Sequence, residues 1–249
     1  MNCYRWPIDI LSIACLSKNI EPAKKITDSI HEKNPTEDFT EPFARAAQSK
    51  VSELCHLFID KKVKINYLNL ALNFTEIAST NNEIFFLMIE HSNENVKSIF
   101  YKNLLIPAIK VCNSELVETI LKKVPATKQS LYEAVNSHDN KIVKLILENN
   151  SKPNFINYKS RSGTVLITAT QNNDLEIVKT LLSTPGIDPN LYDNNKNTPL
   201  IIAANNLNLD IFNAILDFYG DDIEQQRWQL NFLVKKVLNQ LSNSDWKSN

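Results

Sequence analysis

Apolar positions recur along this chain in a compound rhythm. A leucine or phenylalanine is followed three residues later by a small residue, and an apolar pair comes eight residues after that. Leu200, Ala203 and Ile211-Phe212 carry it most clearly. Leu166, Ala169 and Ile177-Val178 repeat it, as do Leu131, Ala134 and Ile142-Val143. Leu105, Ala108 and Leu116-Val117 follow the same rule, and so do Phe43, Ala46 and Leu54-Cys55. Phe74, Ile77 and Phe85-Phe86 fit with isoleucine in the small place, while Leu11 and Ala14 are followed by Pro22-Ala23 where the pair belongs. The small places are 14, 46, 77, 108, 134, 169 and 203, so the steps are 32, 31, 31, 26, 35 and 34. This is a repeat of about 33 residues. Within each unit the i, i+3, i+4 spacing predicts two short helices. Thr198 is placed to cap the first of them in the last repeat, with Pro199 at its first position. The two alanines at 203 and 204 admit a neighbouring helix closely.

The rhythm also predicts where the array is irregular. The 26-residue step between Ala108 and Ala134 leaves too little chain for a full connecting finger, so the one near Pro125 to Gln129 should be truncated. Glu32 to Glu41 and Asn149 to Gly163 read as polar, projecting fingers. The run Phe85, Phe86, Leu87, Met88 and Ile89 reads as buried core. Lys61, Lys62 and Lys64 read as a solvated basic turn in preference to a phosphate site. Trp6 is expected to cover the open end of the first repeat. Beyond Gly220 the rhythm stops. Leu230, Leu233, Val234, Val237, Leu238 and Leu241 form one stripe of a longer helix, Ile223 to Leu241. A solenoid must close its last apolar face, so this helix is expected to cap the array. A partner-binding or dimerising helix is the rival reading.

Composition narrows the chemistry. The net charge is −1, so there is no general basic field for nucleic acid. No apolar run approaches a membrane span, and the first residues do not read as a signal peptide. Gly163, Gly186 and Gly220 are the only glycines, which disfavours glycine-rich phosphate loops and favours helices. Cys3, Cys15, Cys55 and Cys112 lack paired spacing, so a reducing, cytoplasmic setting is expected. Abundant asparagine and lysine read as the mark of an A+T-rich genome. The histidines, His31, His56, His91 and His138, fall in four different repeats and share no ligand spacing. His56 lies beside Cys55, but adjacent helical residues do not face one another. No nucleophile-elbow, phosphate-loop or zinc-protease motif occurs. Asp221-Asp222 and Glu37-Asp38 read as solvated turns. No catalytic residue, cofactor or metal site is assigned, and an enzyme with an unrecognised site remains the third choice of function.

Thr198-Pro199-Leu200-Ile201-Ile202-Ala203-Ala204 and Glu41-Pro42-Phe43-Ala44-Arg45-Ala46-Ala47 resemble the T-P-L-H-x-A-A signature of ankyrin repeats. Asp188-Pro189-Asn190 is similar to that family's end-of-repeat segment, and Glu176 to Leu182 to its second helix. The resemblance covers roughly Ile8 to Tyr219. Departures are also clear. Ile167, Ile201 and Ala44 replace the signature histidine, removing its hydrogen bonds between neighbouring turns. The glycine that ends the first helix is missing, with Asn172, Asn173 and Asn206 nearby as residues that tolerate a left-handed backbone.

The resemblance implies an all-α ankyrin-repeat solenoid of stacked helix pairs with short β-turn fingers. The array would occupy residues 1–220, with a capping helix and tail at 221–249. A tetratricopeptide-like solenoid is the main alternative, and the T-P-L start and short helices argue against it. The family implies a non-catalytic scaffold or adaptor that binds a protein partner through a concave surface of finger tips and first-helix faces. Carried onto this chain, the tips are Glu37, Asp38 and Thr40, then Ser160 and Arg161, then Asn194, Asn195 and Asn197. The first-helix face is Gln48, Lys110, Asn136, Gln171 and Asn205. Tyr158, Arg161 and Tyr192 are the expected energetic anchors, with tyrosines buried inside the fingers as the alternative. The expected partner is a protein, with no nucleic acid and no membrane insertion, bound by a monomer. A structural, self-associating protein is the second reading. Composition and family habit suggest a pathogen effector working in a host cytoplasm.

Overall fold

The computed structural model describes residues 6–73 and 81–220. Phe74, Ile77 and the 221–249 capping segment lie outside these residues, as does the side chain of Trp6. The chain divides into two compact units between Val124 and Pro125.

The first unit holds α1 (Trp6–Leu16), α2 (Ile20–Lys33), α3 (Thr40–Gln48), α4 (Ser52–Asp60), α5 (Tyr67–Asn73), α6 (Asn82–Glu90), α7 (Glu94–Lys110) and α8 (Ser114–Leu121). Helices α1, α3, α5 and α7 pack in succession as one layer, and α2, α4 and α6 as a second. The second unit holds α9 (Lys128–Asn136), α10 (Asn140–Asn149), α11 (Pro153–Ile156), α12 (Val165–Gln171), α13 (Leu175–Leu182), α14 (Pro199–Asn205) and α15 (Leu209–Tyr219). Here α9, α12 and α14 form the first layer, and α10, α13 and α15 the second. Among the described residues, β structure amounts to two isolated bridges, Asp38 with Lys64 and Ser160 with Gly163.

The repeat spacing has a backbone cause. The residue four beyond the small residue is left-handed in six repeats: Lys18, Lys50, Cys112, His138, Asn173 and Leu207, with φ between 55° and 61°. In the first, fourth, sixth and seventh repeats the next amide donates back to the carbonyl of the small residue. Examples are Asn113 N to Ala108 O at 3.0 Å and Asp174 N to Ala169 O at 3.1 Å. The left-handed residue itself donates to the carbonyl three before it, as Asn173 does to Thr170 at 3.1 Å. This double closure satisfies the helix-end carbonyls and reverses the chain. The residue that follows caps the second helix, through Asn113, Asp139, Asp174 or Asn208 accepting amides of the first turn. The apolar pair then falls one turn later, which fixes the interval of eight; in the last repeat only its first member, Ile211, is fully buried. Removing a cap should be felt locally. Asp174→Ala is expected to lower stability by about 1 kcal/mol, read by urea unfolding.

Four expectations are corrected. The left-handed turn of the last repeat falls on Leu207, since Asn206 is right-handed at φ −78°. Asn172 is likewise right-handed, and only Asn173 takes the role expected of asparagine. The register of the third repeat slips by one. Asn81 caps α6, so the buried pair is Ile84-Phe85, while Phe86 is 46% exposed and Leu87 and Ile89 are half-buried. The apolar run is therefore core on one side only. Asn149 to Gly163 is only in part a polar finger, because α11 tucks Phe155 and Ile156 into the core.

The fourth repeat carries the largest irregularity. Helix α7 runs for 17 residues where other first helices take 7 to 11, and only 91–93 separate it from α6. It has no finger. Pro107 sits inside it, and Asn103 spends its side-chain amide on the Ala71 carbonyl at 3.1 Å. After α8 only 122–127 lead to α9, so that connection is short as well.

Candidate recognition surface

Two first helices of the second unit, α12 and α14, leave little side-chain surface. Residues 165–170 of α12 and 199–203 of α14 are all buried, and only the helix ends emerge. What projects is the pair of fingers that precede them.

The first finger closes as a tight turn. Ser160 N donates to Gly163 O at 2.8 Å, with Arg161 and Ser162 at the tip. Gly163 has φ +113°, and a Cβ there would lie 2.9 Å from Ile167 Cγ2. The isoleucine that replaces the signature histidine thus packs directly on the finger base. Tyr132, from α9, supplies polar contacts instead. Its hydroxyl lies 3.0 Å from the Tyr158 carbonyl, touches the Gly163 carbonyl, and accepts from Ser160 N at 3.2 Å. Burial pushes its phenol pKa up. Tyr132→Phe leaves these three backbone groups without their shared partner. It is expected to lower stability by about 1–2 kcal/mol and to speed amide exchange at Ser160. Urea titration and hydrogen-exchange mass spectrometry would read both.

The second finger is built on Asp193. Its carboxylate is buried and accepts from Asn195 N and Asn197 N, both at 2.8 Å, and from Asn197 Nδ2 at 3.3 Å. Lys196 turns the chain with φ 63°. Asn157 holds the approach to this finger, donating to Gly186 O at 2.7 Å and accepting from Asp188 N at 2.9 Å. Asn194 Nδ2 donates to Arg161 O at 2.9 Å, which joins one tip to the other.

Tyr158 and Tyr192 are 41% and 51% exposed, so neither is buried in its finger. Each carries an ammonium over its ring: Lys128 Nζ is 4.2 Å from the Tyr158 centroid, and Lys159 Nζ 4.6 Å from that of Tyr192. Such contacts hold the rings in place while leaving them accessible. Tyr132 meets Tyr158 edge-on at 6.4 Å.

Five of the sequence-derived site residues therefore come together: Tyr158, Ser160, Arg161, Tyr192 and Asn194. Asn195 is exposed at the same tip, whereas Asn197 bonds inward to Asp193. The proposed first-helix set does not join them. Gln48, Lys110, Asn136, Gln171 and Asn205 are each the last residue of a helix. In α12 and α14 that end lies about 10 Å from the finger. Asn136 accepts from Asn172 Nδ2 at 3.4 Å, and Asn206 and Asn208 donate to Asn173 Oδ1 at 3.2 and 3.3 Å. Asparagine here links successive turns, a use that composition alone does not disclose. In the first unit, Asp38 holds Thr40 through its amide at 2.8 Å, and Glu37 accepts from Asn34 Nδ2 at 2.7 Å. Thr40 is buried and accepts from Asn66 N at 2.7 Å, so it is a cross-link and not a tip. Sequence reasoning missed Tyr132, Lys128, Asn157 and Lys159. Their partners stand 26 to 33 residues away, beyond any local pattern.

Among the described residues no group of three His, Cys, Asp or Glu side chains could hold a metal. Burial pushes the Cys15 and Cys55 thiols up to about 12, so both remain protonated and poorly nucleophilic. His138, in the turn after α9, faces Asp174 at 3.3 Å, and His56, half-buried in the middle of α4, faces Glu83 at 3.5 Å. No helix of the described residues is long and apolar enough to cross a membrane.

Comparison with known proteins agrees with this geometry. The family model described as ankyrin repeats (3 copies) matches residues 131–227. A search of curated proteins finds no match. The crystal structure of the ankyrin repeat domain of Bcl-3, described as a unique member of the IkappaB protein family, is similar with a TM-score of 0.61 and 16% identity, covering 82% of this chain and 96% of that one. The family model thus places ankyrin repeats over residues 131–227, and the paired helices at the repeat spacing give the described chain the fold of an ankyrin-repeat solenoid.

Proposed function

We propose that this protein is a non-catalytic scaffold that binds a protein partner through the fingers of its second unit. Ankyrin repeats are in general protein–protein interaction modules. The observation that carries the assignment to these fingers is the accessible pair Tyr158 and Tyr192, held by lysines on two tips joined by a hydrogen bond. Exposed aromatic rings already restrained lose little entropy on binding, and tyrosine and arginine are frequent hot spots. The setting we assign is a reducing cytoplasm, for which the scattered, unpaired spacing of Cys3, Cys15, Cys55 and Cys112 speaks. We extend it to an effector in a host cytoplasm, for which the asparagine- and lysine-rich composition speaks.

The test is affinity capture with the intact chain and with a Tyr158→Ala, Arg161→Ala, Tyr192→Ala variant, after circular dichroism has shown equal helix content. A partner captured by the first and lost by the second is the expected result. A partner retained equally by both would remove the fingers of the second unit from the binding site.

A further inference from the structure

The charges of the second unit are sorted by element. Its second-layer helices mix signs: Lys141, Lys144 and Glu148 on α10, Glu176 and Lys179 on α13, Asp210 and Asp217 on α15. The finger surface does not. Lys128, Lys159, Arg161 and Lys196 are all exposed there. Of the carboxylates near them, Asp193 is buried and accepts from its own turn, and half-buried Asp188 accepts from Asn190 N at 2.9 Å. Glu133 is half-buried on α9. Four cations therefore stand outward, while Asp193 is spent inside and Asp188 and Glu133 are half-buried, although the chain as a whole carries −1.

Resting on the scaffold reading above, we propose that the finger ridge is built for an acidic peptide segment of a partner protein. The partner's carboxylates would pair with Lys159, Arg161 and Lys196, and its side chains between them would lie against Tyr158 and Tyr192. Arg161 offers a planar, bidentate donor set suited to a carboxylate. A peptide fits better than nucleic acid because each tyrosine already carries an ammonium over one face, which leaves a single face for one partner side chain and no two-sided stacking slot. Four cations on a chain with net negative charge also give a weak field for a phosphate backbone.

Fluorescence anisotropy with a labelled poly-glutamate peptide tests this at low salt. Poly-lysine of equal length and single-stranded DNA serve as rival probes. The wild-type chain is expected to bind poly-glutamate best, with affinity falling as salt rises. Lys159→Glu, Arg161→Glu, Lys196→Glu together should weaken it about tenfold or more. The control is Lys141→Glu, Lys144→Glu, Lys179→Glu, which makes the same charge change on exposed second-layer positions and should leave more of the binding. Circular dichroism verifies that both variants fold. Equal loss in the two variants, no preference for poly-glutamate, or tighter binding of DNA each overturns the proposal. The captured partner separates this failure from failure of the scaffold reading. If charge reversal keeps it and the alanine variant loses it, the fingers bind a protein but not through acidic groups.

Discussion

Phe58→Ala is expected to destabilise the first unit by about 3–5 kcal/mol. Phe58 is fully buried, with ring centroids 5.9 Å from Phe39 and 6.3 Å from Phe43, and Phe43 in turn meets Tyr67 at 6.3 Å. These rings come from α3, its lead-in, α4 and α5, so one truncation weakens contacts within a repeat and to the next. Burial also pushes the Tyr67 phenol up to about 12, as expected of a ring within this cluster. In a repeat array each unit leans on its neighbours, so the loss should spread along α3 to α5 first. Urea unfolding followed by hydrogen-exchange mass spectrometry checks this. The expected result is a lower midpoint with early exchange in α3–α5 while α12 and α14 keep their protection. A change below about 1 kcal/mol would mean that the aromatic cluster does not hold the unit together.

Gly163→Ala should disable the first finger. A φ of +113° lies where residues with a Cβ are strained by about 1–3 kcal/mol. The new methyl would also meet Ile167 Cγ2 at 2.9 Å, a distance that forces one of them to move. Both effects bear on the turn that presents Arg161 and aligns the Tyr158 carbonyl with Tyr132. The expected outcome is a loss of stability together with loss of partner capture. The two causes can be separated. In an Ile167→Ala background the steric part disappears, so Gly163→Ala should be less damaging there than in the wild-type chain. Strictly additive losses across the double-mutant cycle would show that the contact with Ile167 plays no part.

Much of this was legible before any coordinates. The interval between the small residue and the buried pair is a consequence of one double-closed turn followed by one capped helix. Both depend on local residues, so the period could be read directly. The slip at Ile84-Phe85 was not legible. A run of five apolar residues offers two neighbouring pairs, and only the capping by Asn81 selects one. The length of α7 was hidden as well. Its N-terminal extension, Glu94 to Tyr101, holds neither glycine nor proline and starts at the Asn93 cap, and nothing local announces that a finger has been replaced. Of the site, the exposed tips Arg161 and Asn194 followed from their place before Thr164 and Thr198. The first-helix set did not, because the positions two beyond the small residue are helix ends. Tyr132 and Asn157 escaped notice because each acts on a segment roughly one repeat away. Such contacts come from stacking and leave no spacing in the chain.

The central claim is that the fingers of the second unit form the binding surface. Hydrogen-exchange mass spectrometry of the chain alone and with its captured partner tests it most directly. The account expects added protection at residues 157–163 and 190–197, with α10, α13 and α15 unchanged. Protection that rises on those second-layer helices and leaves both fingers as they were would contradict it.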